Sequence, residues 1–269
     1  MEVAVSHRPA PVGTAATAPA PSSYEPPKRK RQPFTELPLR LISVDRAVGS
    51  VDELPRQRSE LLNRALNVVV AGTALVAAAP LMAAVALLVR ATSRGPVLYA
   101  QTRIGVDRRY REKSTDGRRM YDHGGKPFKM YKFRTMQVDA EPDGRAVWAV
   151  EQDPRVTRVG AVLRKFRVDE LPQLYNVLRG DMNIVGPRPE RPTIFAELRD
   201  NIPEYPVRQR VKPGITGWAQ INQAYDSCVD DVRRKVEFDL EYLRRQSVIE
   251  DLRIMSLTIP VMLFRRGGW

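Results

Sequence analysis

The chain is short of the side chains on which most metal and nucleophilic enzymes depend. Its 269 residues include one cysteine, Cys228, and two histidines, His7 and His123. A single cysteine excludes an intrachain disulfide and a cysteine zinc site. Two histidines, one of them in a proline-rich N-terminal stretch, exclude a multi-histidine metal centre and argue against a Ser-His-Asp triad. His123 falls in a polar loop and is given no role. Chemistry is left to carboxylates, Lys or Arg, hydroxyls, or a hard cation on oxygen ligands. Acidic charge is also scarce: 44 Lys and Arg face 31 Asp and Glu, a net charge of +13. That surplus favours a polyanionic partner, whether nucleic acid, phosphorylated substrates or an anionic membrane face.

The length suits one or two domains of about 150 residues each. Residues 1–55 read as a disordered, basic, proline-rich tail, since nine of the 22 prolines lie within the first 60 positions. Such a stretch buries too little apolar surface to offset its chain entropy. Lys28-Arg29-Lys30-Arg31 inside it suits a solvated charge run, or attraction to anionic headgroups at ~1 kcal/mol per basic residue. No apolar core follows the first residues, so no signal peptide is expected.

Residues 56–90 are read as a membrane anchor. Ala65 to Val89 is 25 residues without a charge, and a straight helix of that length spans ~37 Å, enough to cross a bilayer. Pro80 lies well inside it, where proline removes a donor and kinks or breaks a helix. Both flanks are basic, with Arg56, Arg58 and Arg64 before and Arg90 and Arg94 after. Positive flanks favour the cytoplasm, so both ends ask for the same side. The expectation is a helix-break-helix that dips into the bilayer and returns; the soluble alternative is a buried core helix.

Residues 91–269 have the composition of a folded, basic domain. Val97-Leu98-Tyr99 and Phe128 to Phe133 are expected strands, with a charged loop, Asp107 to Gly125, between them. Val156, Val159, Leu163 and Phe166 recur at helical spacing. Asp169-Glu170-Leu171-Pro172 resembles a helix start, and Gly180 a helix end. Val232 to Leu243 is amphipathic. Ile249 to Phe264 is apolar, contains Pro260 and runs into Arg265-Arg266, as an element lying on the core or on a membrane surface does.

Three patches, and a fourth of similar character, can carry chemistry. Lys129 to Met136 alternates basic and apolar residues, as an ordinary edge strand or an anion-facing strand does. Arg164-Lys165-Phe166-Arg167-Val168-Asp169-Glu170 sets three cations before two adjacent carboxylates. Asp169 there suits a helix N-cap. It equally suits an ionised carboxylate beside a bound diphosphate, able to attack phosphorus, with its neighbour holding Mg²⁺. Arg179 to Pro192 fixes Arg188 and Arg191 in a Gly/Pro-rich loop fit for bidentate phosphate contact or for a plain solvent turn. Val211 to Gln220 has the same flavour.

Together these stretches resemble the bacterial sugar transferase family, the monotopic polyprenyl-phosphate phosphoglycosyl transferases. The resemblance rests on Thr92-Ser-Arg-Gly-Pro-Val-Leu-Tyr99, Gln101-Thr-Arg-Ile-Gly105, Phe128-Lys-Met-Tyr-Lys-Phe-Arg-Thr-Met136 and Asp153-Pro-Arg-Val-Thr-Arg-Val-Gly160. It continues through Asp169-Glu-Leu-Pro-Gln-Leu-Tyr-Asn-Val-Leu-Arg-Gly-Asp-Met182, Val185-Gly-Pro-Arg-Pro189 and Lys212-Pro-Gly-Ile-Thr-Gly-Trp-Ala-Gln220. It implies an α/β, predominantly helical protein: a re-entrant membrane helix broken at Pro80, and a compact catalytic domain with a few short strands on the cytoplasmic face of the bacterial inner membrane. It also implies Asp169 as nucleophile on a nucleotide-sugar diphosphate, Glu170 as its catalytic partner and Mg²⁺ ligand, and Lys132, Arg134, Arg164 and Arg188 on substrate phosphates. UMP would leave, and polyprenyl phosphate would take the sugar phosphate from Asp169.

The loop Asp107 to Gly125 is longer than the family's usual turn, and Gln223-Ala-Tyr-Asp226 stands where many members have Gly-Arg. Larger members carry four N-terminal spans where this chain has the tail. The implied partners are a nucleotide-sugar donor, polyprenyl phosphate and anionic lipid, with no nucleic acid; a homo-oligomer is compatible with them. The expected role is the first membrane step of exopolysaccharide or other surface-glycan synthesis. Its rivals are a glycosyltransferase that releases UDP and a non-catalytic, basic, membrane-anchored scaffold.

Overall fold

Alanine, the strongest helix former, is the commonest residue of the long uncharged stretch. In the computed structural model this stretch forms helix α1, Glu60–Thr92, of 33 residues. The structure describes residues 55–108, 124–138, 140, 153–223 and 229–264. Nearly all of the N-terminal tail, most of the Asp107 to Gly125 loop with His123, and Cys228 and Arg265-Arg266 lie outside them. Ser59 caps α1 by accepting from the Leu62 N–H, and Arg90 complements the helix dipole in the last turn. The expected break at Pro80 is absent: the helix continues through it. Pro80 and Val76 one turn before it are both exposed, so the ring meets no packed neighbour from the rest of the chain there.

Among the described residues, α1 is the helix long and apolar enough to cross a membrane. Both of its ends are fastened to one domain. Near the start, Arg64 donates to the carbonyls of Val177 (2.6 Å) and Leu178, and the buried Asn67 accepts from the Ile184 N–H at 2.5 Å. Near the end, Val85 and Val89 pack with Phe133 and Leu163, and Ser93 accepts from Arg134. The other face is apolar and bare, with Leu61, Val76 and Leu87 exposed by 78%, 77% and 72%.

Strands β1, Leu98–Ile104, and β2, Pro127–Phe133, pair antiparallel from Leu98↔Phe133 to Ile104↔Pro127, so the first runs further than its sequence signal. Helix α2, Arg158–Lys165, is capped by Thr157, whose hydroxyl accepts from the Gly160 N–H. A 3-10 turn, Val168–Glu170, leads to α3, Gln173–Arg179, which Gly180 ends in the left-handed region at φ 85°. A short parallel pair follows, β3, Asn183–Val185, against β4, Gly214–Thr216. Between its strands lie α4, Pro192–Asn201, and a 3-10 turn, Tyr205–Arg210. Helices α5, Trp218–Asn222, α6, Val229–Arg245, and α7, Val248–Phe264, complete the described chain. The architecture is mostly helical with a few short strands, as expected. Pro260 does not end α7, whose Ile249 and Ile259 are exposed.

One core joins α1, α3, β3, α4, α6 and α7 through Ala71, Val177, Val185, Phe195, Val236 and Ile254. Inside it Arg208 donates to Asp239 at 2.9 and 2.7 Å with both side chains almost fully buried, and to the Tyr205 hydroxyl at 2.8 Å. Removing one member leaves a buried charge uncompensated, which costs about 3–5 kcal/mol. Asp239→Ala is therefore expected to lower the stability of the detergent-solubilised protein by that amount in denaturant titration. A loss below 1 kcal/mol would contradict this reading of the pair.

Candidate active site

The carboxylate pair sits in a short turn between two helices. Helix α2 packs its apolar face, with Leu163, against Phe133 and α1, and stops after Lys165. Arg167 then adopts φ 55° and ψ 20°, the left-handed region that L side chains occupy at a cost of ~1–2 kcal/mol. Strain of this kind at a non-glycine residue persists where the surroundings over-determine it, commonly beside functional groups. It turns Asp169 and Glu170 inward, where they are 6% and 7% exposed. The two do not open an α-helix as expected; they occupy one 3-10 turn, too short to bring a helix dipole to bear.

Neutralisation comes from cations on separate elements. Glu170 Oε1 accepts from Lys132 Nζ of β2 at 2.8 Å and from Arg188 Nη2 of the loop after β3 at 2.6 Å. Arg188 Nη1 reaches Oε2 at 3.4 Å, and Arg167 lies 4.0 Å from Oε1. Burial by itself would raise the pKa of Glu170, but Arg188 and Lys132 outweigh it and hold the carboxyl well below the usual range. Asp169 differs. Among the described residues its carboxyl makes no hydrogen bond or ion pair, and burial pushes its pKa up against the field of Lys132, Arg164 and Arg188. Adjacent cations were expected to favour the ionised form of Asp169; the clamp they form closes on Glu170 instead.

Arg164 faces Asp169 from α2, with its Nε donating to Thr135 Oγ1 at 2.9 Å. The fold thus brings together Asp169, Glu170, Lys132, Arg164 and Arg188. It does not bring Arg134. That guanidinium turns back under the end of α1, donating through Nη2 to the Ser93 carbonyl (2.9 Å) and hydroxyl (2.7 Å). Its Nε and Nη1 are buried without a partner. Strand alternation alone would put residues 132 and 134 on one face, but Arg134 lies beyond the end of β2, where the chain meets the α1 terminus.

Sequence reasoning missed the residues that hold this cluster in place. Asn176 of α3 donates to the Lys129 carbonyl (2.7 Å) and accepts from the Tyr131 N–H (3.1 Å), locking β2, and with it Lys132, onto α3. Arg208 donates to the Arg188 carbonyl at 3.1 Å, and Arg103 to the Pro189 carbonyl at 3.0 Å and to Glu190 at 3.2 Å. All are polar side chains on apolar-patterned elements, a signal visible in sequence but without direction until the fold supplies one.

Two adjacent carboxylates are a donor set for a hard cation that takes one or two protein oxygens and completes its shell with water and substrate phosphate. No group of three or more acidic, His or Cys residues able to hold a metal occurs among the described residues. A hard cation such as Mg²⁺ is compatible with this donor set, and Glu170 would hold it only by giving up part of its contact with Lys132 or Arg188.

The profile of the bacterial sugar transferases matches residues 58–265, which contain every element described above. The chain belongs to that family. It is 42% identical over 214 residues to the undecaprenyl-phosphate glucose phosphotransferase of Komagataeibacter xylinus, covering 78% of this chain and 37% of that protein. It is 43% identical over 203 residues to the UDP-glucose:undecaprenyl-phosphate glucose-1-phosphate transferase of Escherichia coli, covering 75% and 40%. Over 215 residues it is 40% identical to the UDP-N-acetylgalactosamine-undecaprenyl-phosphate N-acetylgalactosaminephosphotransferase of Aeromonas hydrophila, covering 80% and 47%. The chain spans less than half the length of these relatives.

The split between the two carboxyls sets opposite pH dependences. Glu170, depressed in the fold, adds stability that is present above the ordinary glutamate pKa of ~4.3 and lost as pH falls through its lower folded value. Asp169, raised in the fold, opposes folding as pH rises through the interval above the ordinary aspartate pKa of ~3.9. At neutral pH Asp169→Asn should match or exceed the parent in thermal stability. Glu170→Gln should lose about 2 kcal/mol, a deficit that shrinks at acidic pH. Melting curves of both variants at pH 7 and pH 4 check this; equal losses at both positions would contradict it.

Proposed function

We propose that this chain is a membrane-bound phosphoglycosyl transferase. It moves a sugar 1-phosphate from a UDP-sugar to undecaprenyl phosphate with release of UMP, the first membrane step of exopolysaccharide or other surface-glycan synthesis. The observation that carries the reading is the asymmetry of the pair: Glu170 is clamped by Lys132 and Arg188, while the buried Asp169 carboxyl keeps its oxygens unengaged among the described residues. An unpartnered, desolvated carboxylate among cations is suited to attack on phosphorus. The printed names of the relatives describe transfer of this kind, to undecaprenyl phosphate.

In this mechanism an Asp169 oxygen attacks the sugar-proximal phosphorus. The bond from that phosphorus to the bridging oxygen breaks, and UMP departs with the electron pair. The acyl-phosphate left on Asp169 is then attacked by an oxygen of undecaprenyl phosphate, which forms the lipid diphosphate sugar and returns the free carboxylate. Lys132, Arg164 and Arg188 neutralise the phosphate oxygens as charge moves, and fixed cations in a water-poor site do this without reorganisation. General-base action by Asp169 has little use here, because the acceptor already presents an anionic oxygen. When bound, Mg²⁺ on Glu170 would supply further charge neutralisation at the diphosphate.

We place the catalytic domain on the cytoplasmic face of the inner membrane, with both ends of α1 on that side and the helix, unbroken at Pro80, laying its bare apolar face in the bilayer rather than crossing it. Support comes from the fastening of both α1 ends to one polar domain and from the basic residues flanking it. Exposed Leu61, Val76 and Leu87 of α1, with Ile249 and Ile259 of α7, would face lipid.

Two measurements test this. Mixed with its UDP-sugar and without lipid acceptor, the protein should release UMP and gain one sugar-phosphate in intact mass. Asp169→Asn should gain none and lose turnover by about 10³-fold or more; chelator should abolish turnover, and Mg²⁺ restore it. Release of UDP would assign the glycosyltransferase rival, and no release before the lipid is added would defeat the covalent step. Separately, cysteines placed at Gln57 and Arg94 should both resist a membrane-impermeant thiol reagent in intact cells. Labelling of one alone would make α1 a crossing helix.

A further inference from the structure

A second concentration of positive charge lies at the other end of α3 from Asp169 and Glu170. It surrounds a cavity of about 220 Å³ at the foot of α1, lined by Arg56, Arg64, Arg108, Arg210 and Lys212, with Glu60 the carboxylate among its described lining residues. A further lining cation, Arg58, is paired with Asp251 at 2.8 Å. The heads of Arg64 and Lys212 converge over Gly180, where a β-carbon would stand 3.6 Å from the one and 3.7 Å from the other. Lys212 makes no hydrogen bond or ion pair among the described residues. Burial, and after it the fields of Arg64 and Arg108, pull its pKa below the ordinary lysine value, with Glu60 and Asp181 opposing more weakly.

Two features make this more than a solvated basic patch. Asn183 also lines the cavity; it is 2% exposed, and its amide Nδ2 is buried without a hydrogen-bond partner. The lining thus joins cations that repel one another to a buried polar side chain with an unpartnered donor, a combination of charge that an anion would neutralise. The second feature is size. The volume falls below the ~300–1,000 Å³ of pockets that enclose drug-sized ligands, so it suits a phosphate group with its ester rather than a whole nucleotide sugar.

We propose that this cavity is an anion site for a phosphate-bearing group, and that its occupant is the phosphodiester headgroup of an anionic lipid. The source is argued from position: the lining includes Arg56 to Arg64 at the start of α1, beside Leu61 and Leu62, which are 78% and 61% exposed. Only this choice of source rests on the membrane reading of α1; the anion site itself is independent of chemistry at Asp169. An occupied site would fasten the foot of the membrane helix, the Lys212 loop and the end of α3 at one point.

The test uses the full chain in non-ionic detergent. Dihexanoyl-phosphatidylglycerol, dihexanoyl-phosphatidylcholine and inorganic phosphate are titrated separately and followed by calorimetry and thermal shift. The phosphatidylglycerol should bind and raise the melting temperature, about fivefold to tenfold more tightly than either other probe. Lys212→Gln should weaken binding by a similar factor, and so should Arg108→Gln, at an exposed position where folding is not at stake. Asp169→Asn should bind as the parent does, which separates this site from the catalytic one. Equal affinity for inorganic phosphate and phosphatidylglycerol, still dependent on Lys212, would keep the anion site and overturn the lipid as its source. Binding of no probe, or binding untouched by both basic substitutions, would overturn the site.

Discussion

Burying two adjacent carboxylates is the constraint from which the packing of the domain around them follows. A buried carboxylate must be paired or lose its charge. Here Glu170 is paired by cations that come from β2 and from the loop after β3, elements that share no local sequence. Each cation must in turn be held. Asn176 fixes β2 against α3, and Arg208, itself neutralised by Asp239, fixes the backbone of Arg188. Asn176, Arg208 and Asp239 thus form a buried polar support for one small turn.

With Glu170 satisfied, the pair separates into two chemical roles. The clamped carboxylate stays ionised and keeps the cations in position. Its neighbour receives the cost of desolvation without a partner and is the more basic of the two. Both stand in a single 3-10 turn entered through a left-handed arginine, which breaks the run of α2 and turns the pair inward.

The same economy of contacts governs α1. One face is used against the domain, from Arg64 and Asn67 at the foot to Val85 and Val89 near the top, and the opposite face is left apolar and uncovered. A soluble core helix would be covered on both sides. A simple crossing helix would be free of the domain at one end. This helix is held by the domain at both ends, and Arg134, expected among the phosphates, is one of the residues that fasten it.

The sequence by itself determined the elements whose signal is local. Composition excluded histidine and cysteine chemistry, and the uncharged run from Ala65 to Val89 marked the apolar helix. Periodicity marked α2, Gly180 the end of α3, and alternation the strand carrying Lys132. The ordered motifs, with Asp169-Glu170 among them, pointed to the family. Tertiary structure alone decided matters that depend on distance between remote residues. It chose which carboxyl the cations hold, since Lys132 and Arg188 are separated from Glu170 by 38 and 18 positions. It sent Arg134 to Ser93, although Arg134 is only two residues from Lys132. It carried α1 through Pro80, where a local rule foresaw a break. It also gathered Arg56, Arg64, Arg108, Asn183 and Lys212, drawn from four separate stretches, around one cavity. Local propensity acts over a few residues, whereas the energy of a buried charge is set by whichever groups the fold brings within a few ångströms.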